Sequence, residues 1–204
     1  MEKRSCFDGY AGNDQQMIRY HDEEWGKPCH DEQNLIELFF LEMFQAGLSW
    51  KTILHKREAF RNALCGFDVD KVAAFDESKV EELMNDPAII RNRKKIEGAI
   101  INARLIEGIQ EEFGSLSNYL WHFTGDQSIF EPIEVTRDEL SDEVSKDMKK
   151  RGMKFVGSVT IFSYLQSVGI IYSHPRYCWR FDEDGAEEFV RNRYSAGKVY
   201  QVEE

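Results

Sequence analysis

The sequence lacks any long apolar run. Nothing in its 204 residues approaches the ~20 consecutive apolar residues that a membrane-spanning helix needs. The first residues, MEKRSC, also lack the apolar stretch of about 7–15 residues that a signal peptide requires. We therefore expect a cytoplasmic protein with no membrane partner.

Cysteine is scarce, and basic residues are outnumbered. Four cysteines in a reducing compartment do not make a disulfide framework, which leaves free thiols or metal ligands as their roles. The 26 basic and 37 acidic residues give a formal net charge of −11, which argues against a typical nucleic-acid binder. The net charge does not exclude one, because the local field of a cleft matters more than the sum.

Repeats, low-complexity tracts and persistent strand alternation are also absent. The chain is 42% hydrophobic and 31% charged, which is ordinary for a globular protein, and its length suits one domain or a compact pair sharing a core. The dominant period is helical and predicts an all-α fold, with residues 127–135 irregular. Helices are expected at 31–47 (with Asp31 as N-cap), 51–65, 67–75, 76–84, 91–111, 115–123, 141–150 and 156–168.

Residues 179–204 differ in character from the rest. They contain seven acidic and four basic residues with scattered aromatics. We expect a last helix near 186–193 followed by a frayed end. The chain is then divided into a body, residues 1–178, and an acidic C-terminal extension, residues 179–204, which either packs on the body or folds over its cleft.

The pair His174 and Cys178 is the sharpest local feature. Its H-x3-C spacing lets both side chains reach one tetrahedral zinc ion, although a second pair must complete the site. The same pattern also fits a surface histidine and a small buried cysteine. The residues that could supply the second pair are Cys6, His21, Cys29, His30, Cys65, His55 and His122.

Two carboxylates of the 31–47 helix have different neighbours. Glu42 has apolar residues one turn away on both sides and lies on or near the apolar stripe, whereas Glu37 follows polar residues and is expected to be solvated. Carboxylates are rarely buried without a partner. Glu42 is therefore either tied to a partner or facing a pocket.

Two short segments combine aromatic residues with polar or small ones. The segment YHDEEWG at 20–26 suits the edge of a cleft, but it also fits an amphipathic turn with Tyr20 and Trp25 in the core. The segment QAGLSW at 45–50 places a glycine, an apolar wedge and an aromatic side by side after a helix. Its simpler interpretation is a C-cap glycine with the usual hydrophobic contact.

Two basic clusters, at 91–95 and 146–154, have different contexts. We expect the first to be a solvated face. The second is followed by Phe155-Val156-Gly157 and an apolar helix, an order typical of a helix–hairpin–helix element. The second helix would present free backbone N–H groups at 157–159, which suit a nucleic-acid phosphate without any base readout.

Together these segments resemble the DNA-3-methyladenine glycosylase I family. The resemblance is carried by YHDEEWG (20–26), LE (41–42) with QAGLSW (45–50), KRGMKFVG (150–157) and the closing His174/Cys178 pair. It covers about residues 4–179, and the combination of YHDxEWG with QAGLSW is highly specific. It implies an all-α helix–hairpin–helix DNA glycosylase fold, in two lobes that share a cleft. It also implies a structural zinc joining the N- and C-terminal segments, held by Cys6, His21, His174 and Cys178.

The implied activity is excision of 3-methyladenine from alkylated double-stranded DNA. The base would be flipped and hydrolysed off with water as nucleophile, without a lyase step, by a monomer that needs no nucleotide cofactor. Glu42 would be the catalytic residue. Aromatic faces attract a cationic base by roughly 0.5–2 kcal/mol each. The implied base pocket is Tyr20, Trp25, Trp50 and Phe7, and the implied DNA contacts are Gly47, Leu48, Lys154, Phe155, Val156 and Gly157.

The sequence departs from the family at Asp8, where an aromatic two residues after the first cysteine is common, and Phe7 would substitute with a shift of one residue. The acidic extension is also longer than the family's, and the net charge predicts weak non-specific DNA affinity with modest salt dependence. The main alternative is a non-catalytic zinc-containing module that binds damaged DNA. A plain helical interaction protein is a third, and 3-methylguanine or 7-methylguanine are further candidate substrates.

Overall fold

The computed structural model describes residues 4–202, most of which are helical. Within that range no helix is long and apolar enough to cross a membrane. Three short 3-10 turns, at Cys65–Phe67, His122–Thr124 and Ala186–Glu188, join the longer elements. The helices are α1 (Asp8–Ala11), α2 (Gln15–Glu23), α3 (Glu32–Gln45), α4 (Trp50–Leu54), α5 (Arg57–Ala63), α6 (Val69–Ala73), α7 (Glu77–Asn85), α8 (Arg93–Phe113), α9 (Leu116–Trp121), α10 (Glu139–Arg151), α11 (Ser158–Ser167) and α12 (Trp179–Glu183).

The helices predicted between residues 31 and 168 are present, with some bounds corrected. Asp31 caps α3 by accepting a hydrogen bond from the Asn34 N–H, as expected. The predicted 51–65 helix is two helices, because the Lys56 N–H bonds the carbonyl of Ile53, three residues back, and the α-helical ladder stops there. The sequence interpretation missed α1 and α2, although the Asp14 side chain is an ordinary N-cap for α2.

α3 is the central helix of the molecule. Ten consecutive residues, from Leu35 to Phe44, are buried, because α4, α8, α9 and α11 all pack against this helix. A helix that is buried on all sides has no solvated face. Its two inner carboxylates, Glu37 and Glu42, are therefore both inside the protein, and the expectation that Glu37 is solvated is wrong.

α8 packs along the core with the predicted apolar stripe inward: Ile96, Ile100, Ala103 and Ile106 are buried. Two polar residues of the same helix, Lys95 and Asn102, are buried as well. The expected solvated face at 91–95 is thus wrong for Lys95, whose ammonium group finds backbone carbonyls inside the protein.

The predicted helical fold is confirmed in the described residues, but the structure adds two small two-stranded sheets. β1 (Ile129–Phe130) pairs in parallel with β2 (Ile171–Tyr172), inside the 127–135 segment that was expected to be irregular. β3 (Asn192–Ser195) and β4 (Lys198–Gln201) form an antiparallel hairpin where a helix and a frayed end were expected. The two residues between these strands, Ala196 and Gly197, both have positive φ, which a tight hairpin turn requires.

The C-terminal extension packs on the body. The Tyr194 hydroxyl donates to Glu143 of α10 at 2.6 Å, and the Ser195 hydroxyl donates to Glu139 at 2.8 Å. The Asn192 amide donates to the carbonyl of Ser128 at 3.0 Å, just before β1. The hairpin is thus attached to both α10 and the small parallel sheet.

The turn between α11 and β2 lies directly against the segment that follows Trp25. Gly169 has φ +74°, and a Cβ there would be 2.2 Å from the carbonyl carbon of Lys27 and 2.3 Å from the nitrogen of Pro28. Only glycine allows such a close backbone approach. The contact fixes the chain that carries Trp25 against the end of α11.

Candidate active site and metal cluster

A cavity of about 280 Å³ opens between α2, α3 and the N-terminal segment. This volume is near the lower end of the range for small-molecule sites, roughly 300–1,000 Å³, and suits a compact flat ligand. The structure brings the predicted residues Phe7, Tyr20, Trp25, Glu42 and Trp50 together around it. The complete lining is Cys6, Phe7, Tyr10, Tyr20, Trp25, Glu42, Gln45, Trp50, Ile133, Ser163 and Gln166.

Aromatic rings form the walls of the cavity. The rings of Tyr20 and Trp50 are 5.0 Å apart, and those of Phe7 and Trp25 are 4.9 Å apart. Tyr10 meets Phe7 edge to face at 5.9 Å and is half exposed at the mouth. Rings at these separations support one another and leave faces for a planar guest.

Glu42 is 4% exposed, and its Oε2 atom has no hydrogen-bond partner among the described residues. Burial raises the pKa of this carboxyl to about 8, and no neighbouring charge offsets the burial. The Trp50 Nε1 donor is also buried without an acceptor. A buried unpaired polar atom is costly, so this acceptor and this donor are suited to a ligand.

The QAGLSW segment leads from the end of α3, the helix that carries Glu42, to Trp50 at the start of α4. Lys95 donates from Nζ to the carbonyls of Phe44 and Ala46, at 2.8 and 2.6 Å, where α3 ends. The chain then turns outward through Gly47, which has φ +80°, and exposes 40% of Leu48. The Ser49 side chain caps α4, which brings Trp50 back into the cavity. The exposed Leu48 side chain therefore lies in the chain between two residues that line the cavity, Gln45 and Trp50.

Glu37 can be buried because two arginines of another helix, α5, pair with its carboxylate. Arg57 donates from Nε to the Glu37 carboxylate at 2.5 Å, and Arg61 lies 2.8 Å from it. Arg57 also donates to Glu24 at 2.7 Å. The network joins α2, α3 and α5 behind Tyr20, whose pKa is raised by its own burial and by the nearby Glu42 carboxylate. The Tyr20 hydroxyl is thus kept protonated.

Cys6, His21, His174 and Cys178 form one cluster, with their ligand atoms all within 4.8 Å of one another. The Sγ atoms lie 3.2–3.5 Å from His21 Nε2 and His174 Nδ1. A tetrahedral zinc site with ordinary Zn–S and Zn–N bonds has S···N separations of about 3.5 Å. The hydrogen bond between the two thiols lowers the pKa of Cys178 and raises the pKa of Cys6, so the metal-free pair shares a proton that metal binding would displace.

The other ring nitrogen of each histidine is held from outside the cluster. His21 Nδ1 is 2.7 Å from a carboxylate oxygen of Asp22, and His174 Nε2 is 3.0 Å from the carbonyl of Trp25. Such outer partners fix the tautomer of a metal-binding imidazole. The donor set and these partners fit Zn²⁺. Within residues 4–202 the remaining candidates, Cys29, His30, Cys65, His55 and His122, form no such group.

The cluster lies directly against the cavity, and Cys6 belongs to both. The Phe7 ring is 4.8 Å from the His21 ring, and the Trp25 ring is 4.6 Å from the His174 ring. Asp8 faces away, because its carboxylate accepts from the Ser5 N–H at 3.0 Å. Phe7, and not residue 8, therefore reaches the cavity.

The 152–157 loop joins α10 to α11 through Gly152, which has a left-handed conformation. Lys154 is exposed, but the Val156 side chain is only 1% exposed and packs in the core. The N-cap of α11, Gly157, has no capping side chain. Val156 can thus contribute only its backbone to a surface contact, beside the uncapped N–H groups of α11.

Five cavity residues escaped the sequence interpretation: Tyr10, Gln45, Ile133, Ser163 and Gln166. Gln45 lies inside the QAGLSW segment and could have been found there. Ile133 comes from the segment between β1 and α10, which the pattern left irregular. Ser163 and Gln166 lie on an apolar helix whose orientation only tertiary packing decides.

Both the sequence and the fold are similar to those of known proteins. Residues 10–181 match the profile of the family described as methyladenine glycosylase. The chain is 39% identical over 175 residues to DNA-3-methyladenine glycosylase 1 of Escherichia coli K12, and 36% identical over 174 residues to DNA-3-methyladenine glycosylase of Haemophilus influenzae. Each alignment covers 83% of this chain and 94% of the relative. A crystal structure of a variant of 3-methyladenine DNA glycosylase I in complex with 3-methyladenine matches with a TM-score of 0.80 at 35% identity, covering 83% of this chain and 94% of that one.

Proposed function

The chain belongs to the methyladenine glycosylase family, and on this premise we propose that it is a DNA repair glycosylase that releases 3-methyladenine from alkylated DNA. The observation that carries the proposal is the buried, unpartnered carboxylate oxygen of Glu42 in an aromatic cavity of about 280 Å³. A pocket of this kind suits a flat base that presents N–H groups and positive charge.

The recognition chemistry follows from that cavity. Methylation at N3 makes the nucleoside base cationic, so that it is both attracted to aromatic faces and ready to leave the sugar. The Glu42 carboxylate accepts from the N–H groups of the base and stabilises its positive charge. Trp50 lines the same cavity, and its unpartnered Nε1 donor would bond a ring nitrogen of the base. The base must be flipped out of the duplex to reach this pocket, and a damaged pair is easier to open.

We propose hydrolysis without a lyase step. The C1′–N9 bond breaks, its electron pair neutralises the departing base, and water adds to C1′ and loses a proton, which leaves an abasic site. An amine nucleophile would be needed to open the sugar as a Schiff base. The described residues that line the cavity include no lysine, which supports a monofunctional enzyme. Glu42 would hold the base and stabilise charge during its departure.

The duplex would be held at two places outside the cavity. The exposed Leu48, raised on Gly47, would fill the gap left by the flipped nucleotide, as apolar wedges do in other unstacked steps. Lys154 and the backbone around Phe155 and Gly157 would contact phosphates, in the manner of a helix–hairpin–helix element. These contacts carry no sequence information, which suits an enzyme that must find damage anywhere.

We propose that Cys6, His21, His174 and Cys178 hold one structural Zn²⁺. Four protein ligands make a closed site, in which the metal contributes to folding and leaves no position for water. Here it would join the first described residues to the end of the body. The role of the protein around it is to keep Phe7 and Trp25 against the cavity.

The direct test is release of free base from methylated duplex DNA, separated by chromatography. We compare wild type with Glu42→Gln, using Glu82→Gln on the exposed face of α7 as the matched control. Wild type and Glu82→Gln should release 3-methyladenine at equal rates, and Glu42→Gln should be slower by about 100-fold. A folded wild-type protein that binds the duplex but releases no base would contradict the enzyme and favour a damage-binding module.

A further inference from the structure

Three residues on one face of α8 contact both of the loops proposed to hold DNA. Lys95, Gly98 and Asn102 are spaced i, i+3 and i+7, and therefore lie on one side of the helix. All three are buried, and none of them lines the cavity. From the first to the last, this face extends about 10 Å along the helix axis.

The Lys95 end of this face holds the wedge. Its two hydrogen bonds to the carbonyls of Phe44 and Ala46 satisfy backbone groups that the end of α3 leaves without helical partners. Ala46 immediately precedes the outward turn at Gly47. The position of Leu48 is therefore set from α8, and the bonds come from a side chain that is only 5% exposed.

The Gly98–Asn102 end holds the 152–157 loop. Asn102, which is fully buried, accepts from the Lys154 N–H at 2.7 Å and donates to the Lys154 carbonyl at 2.9 Å. The next residue, Phe155, has φ +57°, which is unusual for a bulky side chain. Its ring packs so tightly on the helix that a Cβ on Gly98 would be 3.0 Å from two ring carbons.

We propose that Lys95, Gly98 and Asn102 are positioning residues that fix the Leu48 wedge and the 152–157 loop at one separation, so that both engage the same duplex. This inference rests on the proposed function and names the part of the fold that serves it. Asn102 also donates to Met43 Sδ at 3.2 Å, which ties the loop to the helix that carries Glu42. Through α8, both DNA contacts are thus held at a fixed position relative to the base pocket.

Gly98→Ala tests the loop end, with Gly108→Ala as its matched control. Both glycines lie inside α8, but a Cβ at Gly108 meets nothing within 4 Å. We expect Gly98→Ala to raise the KM for methylated duplex about tenfold while kcat stays within about twofold, because uniform binding is lost. The slope of log affinity against log salt concentration should become shallower by the amount expected for the loss of about one phosphate contact. Gly108→Ala should match wild type in both measurements.

Lys95→Met tests the wedge end. It keeps an apolar side chain of similar length but leaves the Phe44 and Ala46 carbonyls without their donor. We expect a kcat lowered about tenfold with the salt slope unchanged, because unstacking, and not phosphate contact, is affected. If Gly98→Ala does not fold, Asn102→Ala takes its place in the loop test.

Binding of free 3-methyladenine, measured by quenching of tryptophan fluorescence, distinguishes this role from a general structural one. A general structural defect would weaken binding of the free base as well as of the duplex. Binding of the free base should be unchanged in every α8 variant. The inference is wrong if Gly98→Ala and Gly108→Ala give equal KM values, or if free-base binding weakens by the same factor as duplex binding. Should wild type release no base, affinity for a duplex containing an abasic-site analogue still separates the two glycine variants, so the two proposals fail independently.

Discussion

Glu37 and Glu42 are both buried on α3, but of the two only Glu37 is paired with a basic side chain, the Arg57 guanidinium at 2.5 Å. The Glu42 carboxyl has only the penalty of burial, which raises its pKa to about 8. A paired carboxylate stabilises a fold, whereas an unpaired one costs stability unless something else binds it. The difference separates a structural glutamate from one kept for a ligand.

The stability of the free protein should depend on pH through Glu42. Its carboxyl ionises near pH 8 in the folded protein and near 4.5 in the unfolded chain. Between these values folding takes up a proton, so the free energy of unfolding falls as pH rises. Glu42→Gln removes this term and should gain stability over wild type between pH 5 and pH 8, reaching about 2–4 kcal/mol. Urea unfolding at several pH values measures it, and a pH-independent difference would contradict the burial of an unpaired carboxyl.

The rate of excision should rise with pH as Glu42 ionises, which is opposite to the trend in stability. If the ionised Glu42 holds the cationic base, kcat/KM should rise from pH 6 toward pH 8, since this ratio reports the free enzyme. The rise should disappear in Glu42→Gln and persist in Glu82→Gln. Equal pH profiles for wild type and Glu42→Gln would show that Glu42 does not act through its charge.

The purified protein should contain one equivalent of zinc, measured by atomic emission. Asp22→Asn removes the carboxylate that holds His21 Nδ1 and should weaken zinc affinity by about 10–100-fold in a chelator competition. Cys65→Ser, at an exposed cysteine outside the cluster, is the control and should change nothing. Zinc content that survives Cys178→Ser undiminished would place the metal elsewhere.

Leu48→Ala should lower excision without lowering stability. The side chain is 40% exposed, so the free energy of unfolding should change by less than about 0.5 kcal/mol. Loss of the wedge leaves the flipped state without a filler, and the rate of base release should fall about tenfold. Ile101→Ala, at an exposed apolar residue of α8, should leave the rate unchanged. Equal rates in the two variants would remove Leu48 from the DNA contact.

Gly169→Ala should destabilise the protein strongly. The new methyl group would lie 2.2 Å from the Lys27 backbone at a φ of +74°, so both sterics and conformation oppose it, by about 3 kcal/mol or more. Gly108→Ala has space and helical conformation and should instead stabilise, by about 0.5–1 kcal/mol. Thermal unfolding should show a lower Tm than wild type for Gly169→Ala and a higher Tm for Gly108→Ala.

Tyr194→Phe should test how the C-terminal hairpin is attached. Tyr194 is only 7% exposed, and the hydrogen bond from its hydroxyl to Glu143 is worth about 1 kcal/mol, which the variant should lose. Tyr200→Phe, on the exposed strand of the same hairpin, should be neutral. Equal unfolding free energies for the two would mean that the hairpin adds little to the body in solution.

Sequence patterns predicted what is local. The long apolar stripe of α8 and the capped start of α3 follow from residues a few positions apart. The burial of Glu37 and Lys95 does not, because the groups that compensate their charge, Arg57 on α5 and the carbonyls at the end of α3, are distant in the chain. Helix-by-helix reasoning has no access to such partners.

The C-terminal hairpin was missed for a different reason. Tyr194 and Val199 lie opposite each other across a two-residue Ala196–Gly197 turn, so the signal for a hairpin is present but short. Within the sequence alone, so short an alternation does not distinguish this hairpin from the helix expected near 186–193. Side chains docked on α10 then stabilise a pairing that would be marginal alone.

The cluster of two cysteines and two histidines also orders events during synthesis. Cys6 leaves the ribosome before its partners His174 and Cys178, which are synthesised after all the residues that line the cavity. Phe7 is held in place next to Cys6, so the wall it forms is completed last. A nascent chain that stops before His174 already has Glu42 on a formed helix, but it has no anchored Phe7 and should neither hold a base nor act on DNA.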